Sequence, residues 1–159
     1  MRLTIVAIGR LKDGGERVLV DRFVARMASA KGLGVGPLAE RELTESRLGS
    51  AQERKSDEAA RLCKAADGAE LLIGLDERGR QLSSEAFARW LGQKRDGGVR
   101  HAAFLIGGPD GHGDAVAAAA DLMMTLGPMT LPHGMARAVL AEQLYRASTI
   151  LAGHPYHRA

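Results

Sequence analysis

Residues 102–113 read Ala-Ala-Phe-Leu-Ile-Gly-Gly-Pro-Asp-Gly-His-Gly, a short apolar run that stops at a loop with four glycines in seven residues. Ala102 to Ile106 has the length and character of a strand buried on both faces. The loop opens into the alanine-rich stretch Asp114 to Met124, which reads as a helix. Strand, loop and helix in this order form a unit that recurs on either side. Upstream, Leu3 to Ile8 is a strand ended by Gly9. From Gly15 to Lys31, Val20, Phe23, Val24 and Met27 fall at i, i+3, i+4 and i+7, the apolar face of a helix that Gly32 closes. Leu33 to Leu43 leads through a loop into a second strand. Ser50 followed by Glu53 is a capping-box pattern that starts a helix running to Ala66. Glu70 to Leu75 is the third strand, and Ser84 can cap a helix carrying Phe87, Trp90 and Leu91. Downstream, Leu126 to Leu131 reads as a short final strand around Pro128, and Gly134 to Leu151 as a long helix that Gly153 ends.

The order β-α-β-α-β-α-β-α-β-α predicts an α/β fold with a mostly parallel sheet flanked by helices, because strands separated by helices of this length must cross over. No repeat or linker divides the chain, so residues 1–159 form one domain. The 159 residues include 22 Lys and Arg, 19 Asp and Glu, and a single cysteine, Cys63. One cysteine excludes a disulfide scaffold and a four-cysteine zinc site. No apolar run approaches the ~20 residues a bilayer span needs, and Met1 to Arg10 lacks a signal-peptide pattern. These features predict a soluble, cytoplasmic protein without a membrane partner. The net charge of +3 is unevenly placed. Residues 101–159 hold only Arg137, Arg146 and Arg158 against Asp110, Asp114, Asp121 and Glu142, so the positive excess lies in the first hundred residues. All five histidines and four of the five prolines lie in that nearly neutral final stretch.

In an open parallel sheet, ligands bind beyond the carboxyl ends of the strands. Three such ends stand out: Leu75 running into Asp76-Glu77-Arg78-Gly79, the glycine loop at Gly107 to Gly113, and Leu126-Gly127-Pro128-Met129-Thr130-Leu131 before Pro132-His133. The glycine loop fits neither the P-loop nor the dinucleotide fingerprint, and by itself could be a tight turn. In the third segment two prolines hold the backbone extended. Its free main-chain groups could grip an adenine edge between Leu126, Met129 and Leu131, or it could be a proline-protected edge strand. The tail His154-Pro155-Tyr156-His157-Arg158 combines an aromatic ring, two imidazoles and a guanidinium, which suits stacking on a base, accepting a proton and holding a phosphate. The same tail could equally be a solvated terminus. His154 and His157 lack a metal motif, so no metal is expected. His101 and His112 read as surface residues, Cys63 as core, and Trp90 with Phe87 as packing. Arg137 and Glu142 lie on a helix rich in Ala and Leu, where charges need partners in an interface or a ligand.

Four motifs in order carry a resemblance: Phe104 to Gly111, Met129-Thr130-Leu131-Pro132-His133, Glu142-Gln143-Leu144-Tyr145-Arg146-Ala147, and His154 to Arg158. Together with the Val6-Ala7-Ile8-Gly9 start, they resemble the RlmH-type large-subunit rRNA methyltransferases of the SPOUT superfamily along the whole chain. The resemblance implies a C-terminal trefoil knot, S-adenosylmethionine as methyl donor, no metal, a homodimer, and N3-methylation of a pseudouridine in 23S rRNA on the assembled ribosome, with no DNA partner. It places Leu75, Gly107, Gly108, Leu126, Gly127, Pro128, Met129, Thr130 and Leu131 at the cofactor. It also places Tyr156, His157 and Arg158 on the RNA side. Asp110 stands where the family commonly has Glu, and Gly127-Pro128 replaces a small polar pair. On this reading His157 takes the N3 proton or orients a water that does, while Arg158 and Arg137 stabilise charge on the base carbonyls. A SPOUT enzyme acting on tRNA, and an inactive ribosome-binding relative, are the alternatives.

Overall fold

The strands β1 (Arg2–Ile8), β2 (Leu38–Leu43), β3 (Leu71–Gln81), β4 (His101–Ile106) and β5 (Leu122–Thr125) form one sheet in the order β2-β1-β4-β3-β5. Every pairing is parallel. The computed structural model describes residues 1–29, 32 and 34–157, with His157 described by its backbone, so the expected end of the first helix at Lys31 and the candidate Arg158 lie outside the described residues. The helices are α1 (Gly15–Ser29), α2 (Ala51–Ala65), α3 (Ser84–Asp96), α4 (Asp114–Ala119) and α5 (His133–Leu151), with a short 3-10 turn at Pro155–His157.

Side chains that alternate along a strand must serve two faces, and here both are apolar. Leu3, Ile5 and Ala7 of β1 join Phe104 and Ile106 of β4 under α1, α3 and α5. Val6 and Ile8 join Ala103 and Leu105 on the other face, against Ala59 and Leu62 of α2 and Val116 of α4. That is why β1 and β4 read as unbroken hydrophobic runs. The capping box at α2 forms as expected: Ser50 Oγ accepts from the Glu53 N–H, and the Glu53 carboxylate accepts from the Ser50 N–H. At α3 the cap is Ser83, one residue before the expected Ser84.

The structure corrects the sequence reading between residues 114 and 131. The alanine-rich helix stops at Ala119. Asp121 then takes over both hydrogen-bonding groups of Leu72: its N–H donates to the Leu72 carbonyl, and its carboxylate accepts from the Leu72 N–H. This sets Leu122 to Thr125 beside β3 as the edge strand. The approach is close because Gly74 lacks a side chain; a Cβ there would lie 2.4 Å from the Met123 sulfur. Leu126 to Leu131, expected as a strand, is a loop. Gly127 has φ +144, and Pro128 and Pro132 lack the N–H groups that a ladder would use. β3 also runs on to Gln81, with its pairing to β5 interrupted between Leu75 and Arg80. The expected loop Asp76 to Gly79 is therefore an irregularity inside a strand.

Candidate functional site

The irregular middle of β3 and the carboxyl ends of β4 and β5 enclose a cavity of about 330 Å³. β3 contributes Leu75, Asp76, Glu77 and Arg78, and the glycine loop contributes Ile106 to His112. Met124 to Gly127 and Met129 to Leu131 form the third wall, His133 and Ala136 of α5 close the floor, and Lys55 of α2 reaches the rim. Of the nine residues expected at a cofactor, the structure gathers Leu75, Gly107, Gly108, Leu126, Gly127, Met129, Thr130 and Leu131 around this cavity, while Pro128 is outside its lining.

The glycine loop is shaped by two close contacts. Gly111 adopts φ +85 and its N–H donates to the Gly108 carbonyl at 2.9 Å, closing a tight turn. Gly108 packs directly on the Glu58 carboxylate, where a Cβ would meet Oε2 at 2.5 Å. Glu58 itself is only 2% exposed; its Oε1 accepts from the Ser46 N–H at 2.8 Å and its Oε2 has no partner. Asp110 is clasped by Arg54 at 2.7 and 3.3 Å, and this pairing holds its carboxyl below the usual carboxylate range. Across the cavity, the Thr125 hydroxyl donates to the Gly127 carbonyl at 2.8 Å and accepts from its N–H at 3.2 Å, fixing the turn after β5. The cavity thus offers apolar walls and closely approachable main chain, which suits a flat heterocycle held by backbone groups.

Two histidines that stand in segments expected to line the pocket were not themselves expected as site residues. His112, expected at the surface, lines the cavity with both ring nitrogens buried and without a hydrogen-bond partner. His133 lines it too, and its Nδ1 is likewise buried and unpartnered. Burial pushes the pKa of both rings down; Arg137 lowers that of His133 further. Neither position shows a metal-ligand or catalytic spacing; the signals that could have found them are their places in the glycine loop and at the end of the Met129–His133 motif. Glu58 was hidden for a similar reason, since one carboxylate on a charged helix looks solvated until the glycine loop is packed against it.

Arg137 is displaced from its expected role. Its side chain is 1% exposed. Its Nη2 donates to the Ile8 and Gly9 carbonyls at 2.9 and 2.6 Å, and its Nη1 pairs with Glu42 at 2.7 Å. Glu42 in turn accepts from the Leu11 N–H, and Arg17 pairs with Glu40 and Glu42. The guanidinium therefore ties the start of α5 to the end of β1 and cannot also face a substrate. Arg137→Ala takes a charged donor from the Ile8 and Gly9 carbonyls and leaves Glu42 with only Leu11 and Arg17, and we expect a loss of about 3 kcal/mol in stability. Thermal denaturation should register this as a fall in Tm of about 10 °C.

Tyr156 is also held away from its own chain's cavity. Its ring meets Tyr145 edge-on at 4.7 Å, its hydroxyl donates to Glu142 at 3.2 Å, and Arg146 lies over its face. Burial and the neighbouring Glu142 push its pKa up. Glu142 is nine residues beyond His133 on α5, about 13 Å along the helix. Among the described residues, none of the tail lines the cavity.

Residues 1–157 match the family model described as "Predicted SPOUT methyltransferase". Two relatives, both named "Ribosomal RNA large subunit methyltransferase H", match over the full length of both chains. The Brucella anthropi protein is 51% identical over 160 residues and the Xanthobacter autotrophicus protein 52% over 160. A solved structure of a probable methylase family protein from Haemophilus influenzae Rd KW20 superposes with a TM-score of 0.58 at 13% identity, covering 99% of this chain and 70% of that one. A family match across nearly the whole chain, joined to full-length relatives at half identity, places this protein in the SPOUT methyltransferase family.

Proposed function

We propose that this chain transfers a methyl group from S-adenosylmethionine to N3 of a pseudouridine in 23S rRNA of the large ribosomal subunit, on the assembled ribosome. It acts in the cytoplasm as a homodimer whose C-terminal segment forms a trefoil knot. The observation that carries the substrate class is the full-length, half-identical likeness to relatives named as large-subunit rRNA methyltransferases. The fit of the donor rests on the cavity: Gly107 and Gly108 present bare main chain, and Leu75, Leu126, Met129 and Leu131 supply apolar walls. When bound, S-adenosylmethionine supplies an electrophilic methyl carbon on a sulfonium.

The protein's own task is then positioning and proton removal. N3 of the base carries a proton that must leave, and His157 accepts it. Arg158 and Tyr156 hold the base and its phosphate, with no contact assigned to Arg137. Because Tyr156 is tethered to Glu142 and Tyr145, away from its own cavity, the tail of one subunit completes the cavity of the other. The first hundred residues supply the positive charge that meets rRNA phosphates. Within Arg47 to Lys64, Arg54 and Arg61 are engaged internally, with Asp110 and with Asp57, whereas Arg47 and Lys64 are exposed. Reversing these two to Glu should weaken ribosome binding and reduce its dependence on log salt by about two charges. Unchanged binding over a salt series would remove that surface from the account.

The direct test is incorporation of a labelled methyl group into whole ribosomes, free 23S rRNA and tRNA, with the modified base identified by nuclease digestion and mass spectrometry. Methyl-pseudouridine from ribosomes alone is expected. Labelling of tRNA but not ribosomes would overturn the substrate assignment.

A further inference from the structure

Three polar groups in and behind the cavity wall have buried atoms without a partner: both ring nitrogens of His112, Nδ1 of His133, and Oε2 of Glu58. Buried polar atoms are rarely left unpaired without a functional reason. The two imidazoles line the cavity itself, while Glu58 sits behind Gly108. We propose that His112 and His133 set the charge selectivity of this cavity, staying neutral so that it admits a cationic sulfonium donor, and turning against that cation, but not against the uncharged thioether product, when protonated. The inference rests on the proposed binding of S-adenosylmethionine.

Geometry favours the neutral rings. His133 is the first residue of α5, where the helix dipole opposes positive charge, and Arg137 follows one turn later. His112 has no paired carboxylate, and its burial disfavours the imidazolium by more than the backbone groups of Leu75 and Leu105 and the Asp76 carboxylate favour it. The surrounding charges do not reverse this. Facing His112 are Asp76 on β3, which raises its pKa, and His133 itself. Facing His133 are Glu45 and Glu58, from the approach to α2 and from α2, with Arg137 opposing them. Glu77, Arg78 and Lys55 stand at the lining of the same cavity, and the nearby Asp110 is neutralised by Arg54. For both rings the outcome is a pKa below that of a free histidine, with burial as the leading cause.

S-adenosylmethionine and S-adenosylhomocysteine differ by one methyl group and one unit of charge at sulfur, so the ratio of their affinities isolates the effect. Calorimetric titrations at pH 7.0 and 5.0 keep the amino group of both ligands protonated. For the wild-type protein, the Kd of S-adenosylmethionine relative to that of S-adenosylhomocysteine should rise about fivefold as pH falls. In the variant H112Q/H133Q, whose side chains cannot protonate, the ratio should stay constant. A constant ratio in the wild type, or an equal rise in the variant, would overturn the proposal. If the double variant does not fold, ring titration by NMR in the wild type gives the same answer. S-adenosylmethionine should lower the midpoints of His112 and His133 relative to S-adenosylhomocysteine, and equal midpoints would contradict the proposal. Absence of S-adenosylmethionine binding at pH 7.0 is a separate result that removes the donor reading and this inference with it.

Discussion

Gly108→Ala should lower affinity for S-adenosylmethionine on the order of a hundredfold, equivalent to about 2.7 kcal/mol. The cause is contact, because Gly108 is not among the glycines with positive φ, and alanine can adopt its backbone conformation. The added Cβ would fall 2.5 Å from Glu58 Oε2 and 3.1 Å from its carboxyl carbon. Glu58 is buried and anchored on the Ser46 N–H, so it cannot swing aside freely, and the glycine loop must move into the cavity instead. Shortening the opposing side chain should reverse much of the effect. The pair Gly108→Ala with Glu58→Asp should regain about tenfold in affinity by titration calorimetry, since one methylene less draws the carboxylate back. If the single variant binds the donor normally, this loop does not form the cofactor seat.

The second large effect concerns the tail. His157→Ala should lower the single-turnover methylation rate of ribosomes about a hundredfold at saturating donor, the loss expected when a positioned proton acceptor is removed. Removing residues 154–159 takes away Tyr156 and Arg158 as well, and the rate should then fall by about a thousandfold. Donor affinity should stay within about twofold in both variants, because the tail is assigned to the RNA side of the composite site and not to the donor. A rate that His157→Ala leaves unchanged between pH 6 and 9 would assign the proton to another group. A parallel loss of donor binding would put the tail in the cofactor site.

Most of the layer architecture was legible because the signals were local. The unbroken apolar runs at Leu3 to Ile8 and Ala102 to Ile106 mark strands covered on both faces, and Ser50 with Glu53 forms its cap from residues three apart. The failures were non-local. The sequence Asp114 to Met124 has helical composition throughout, and only the pairing of Asp121 with Leu72 on a distant strand turns its second half into β5. Leu126 to Leu131 has strand-like residues, but Gly127 and the two prolines deny it a ladder, which leaves it free to line the cavity. The same contrast holds in the site. Glycine density and proline spacing pointed to two of its walls. Glu58 had no pattern to give it away, and His112 and His133, though inside those two segments, had no spacing that marked their rings, because the significance of all three lies in burial against segments far along the chain. Arg137 shows the converse: a charge on an apolar helix does need partners, and it finds them in Glu42, Ile8 and Gly9 rather than in a ligand.

The cavity of one subunit served by the tail of another is tested most directly by mixing two variants that are each nearly inactive at a donor concentration close to the wild-type Kd. Gly108→Ala damages the cavity and leaves the tail intact, whereas removal of residues 154–159 does the opposite. After the two are co-expressed or re-equilibrated in equal amounts, half the dimers should be mixed, and each mixed dimer has one intact cavity beside one intact tail. Ribosome methylation should therefore recover to about a quarter of the wild-type rate per subunit. If the mixture stays as inactive as its components while exchange into mixed dimers is verified, cavity and tail belong to the same chain and the composite site is wrong.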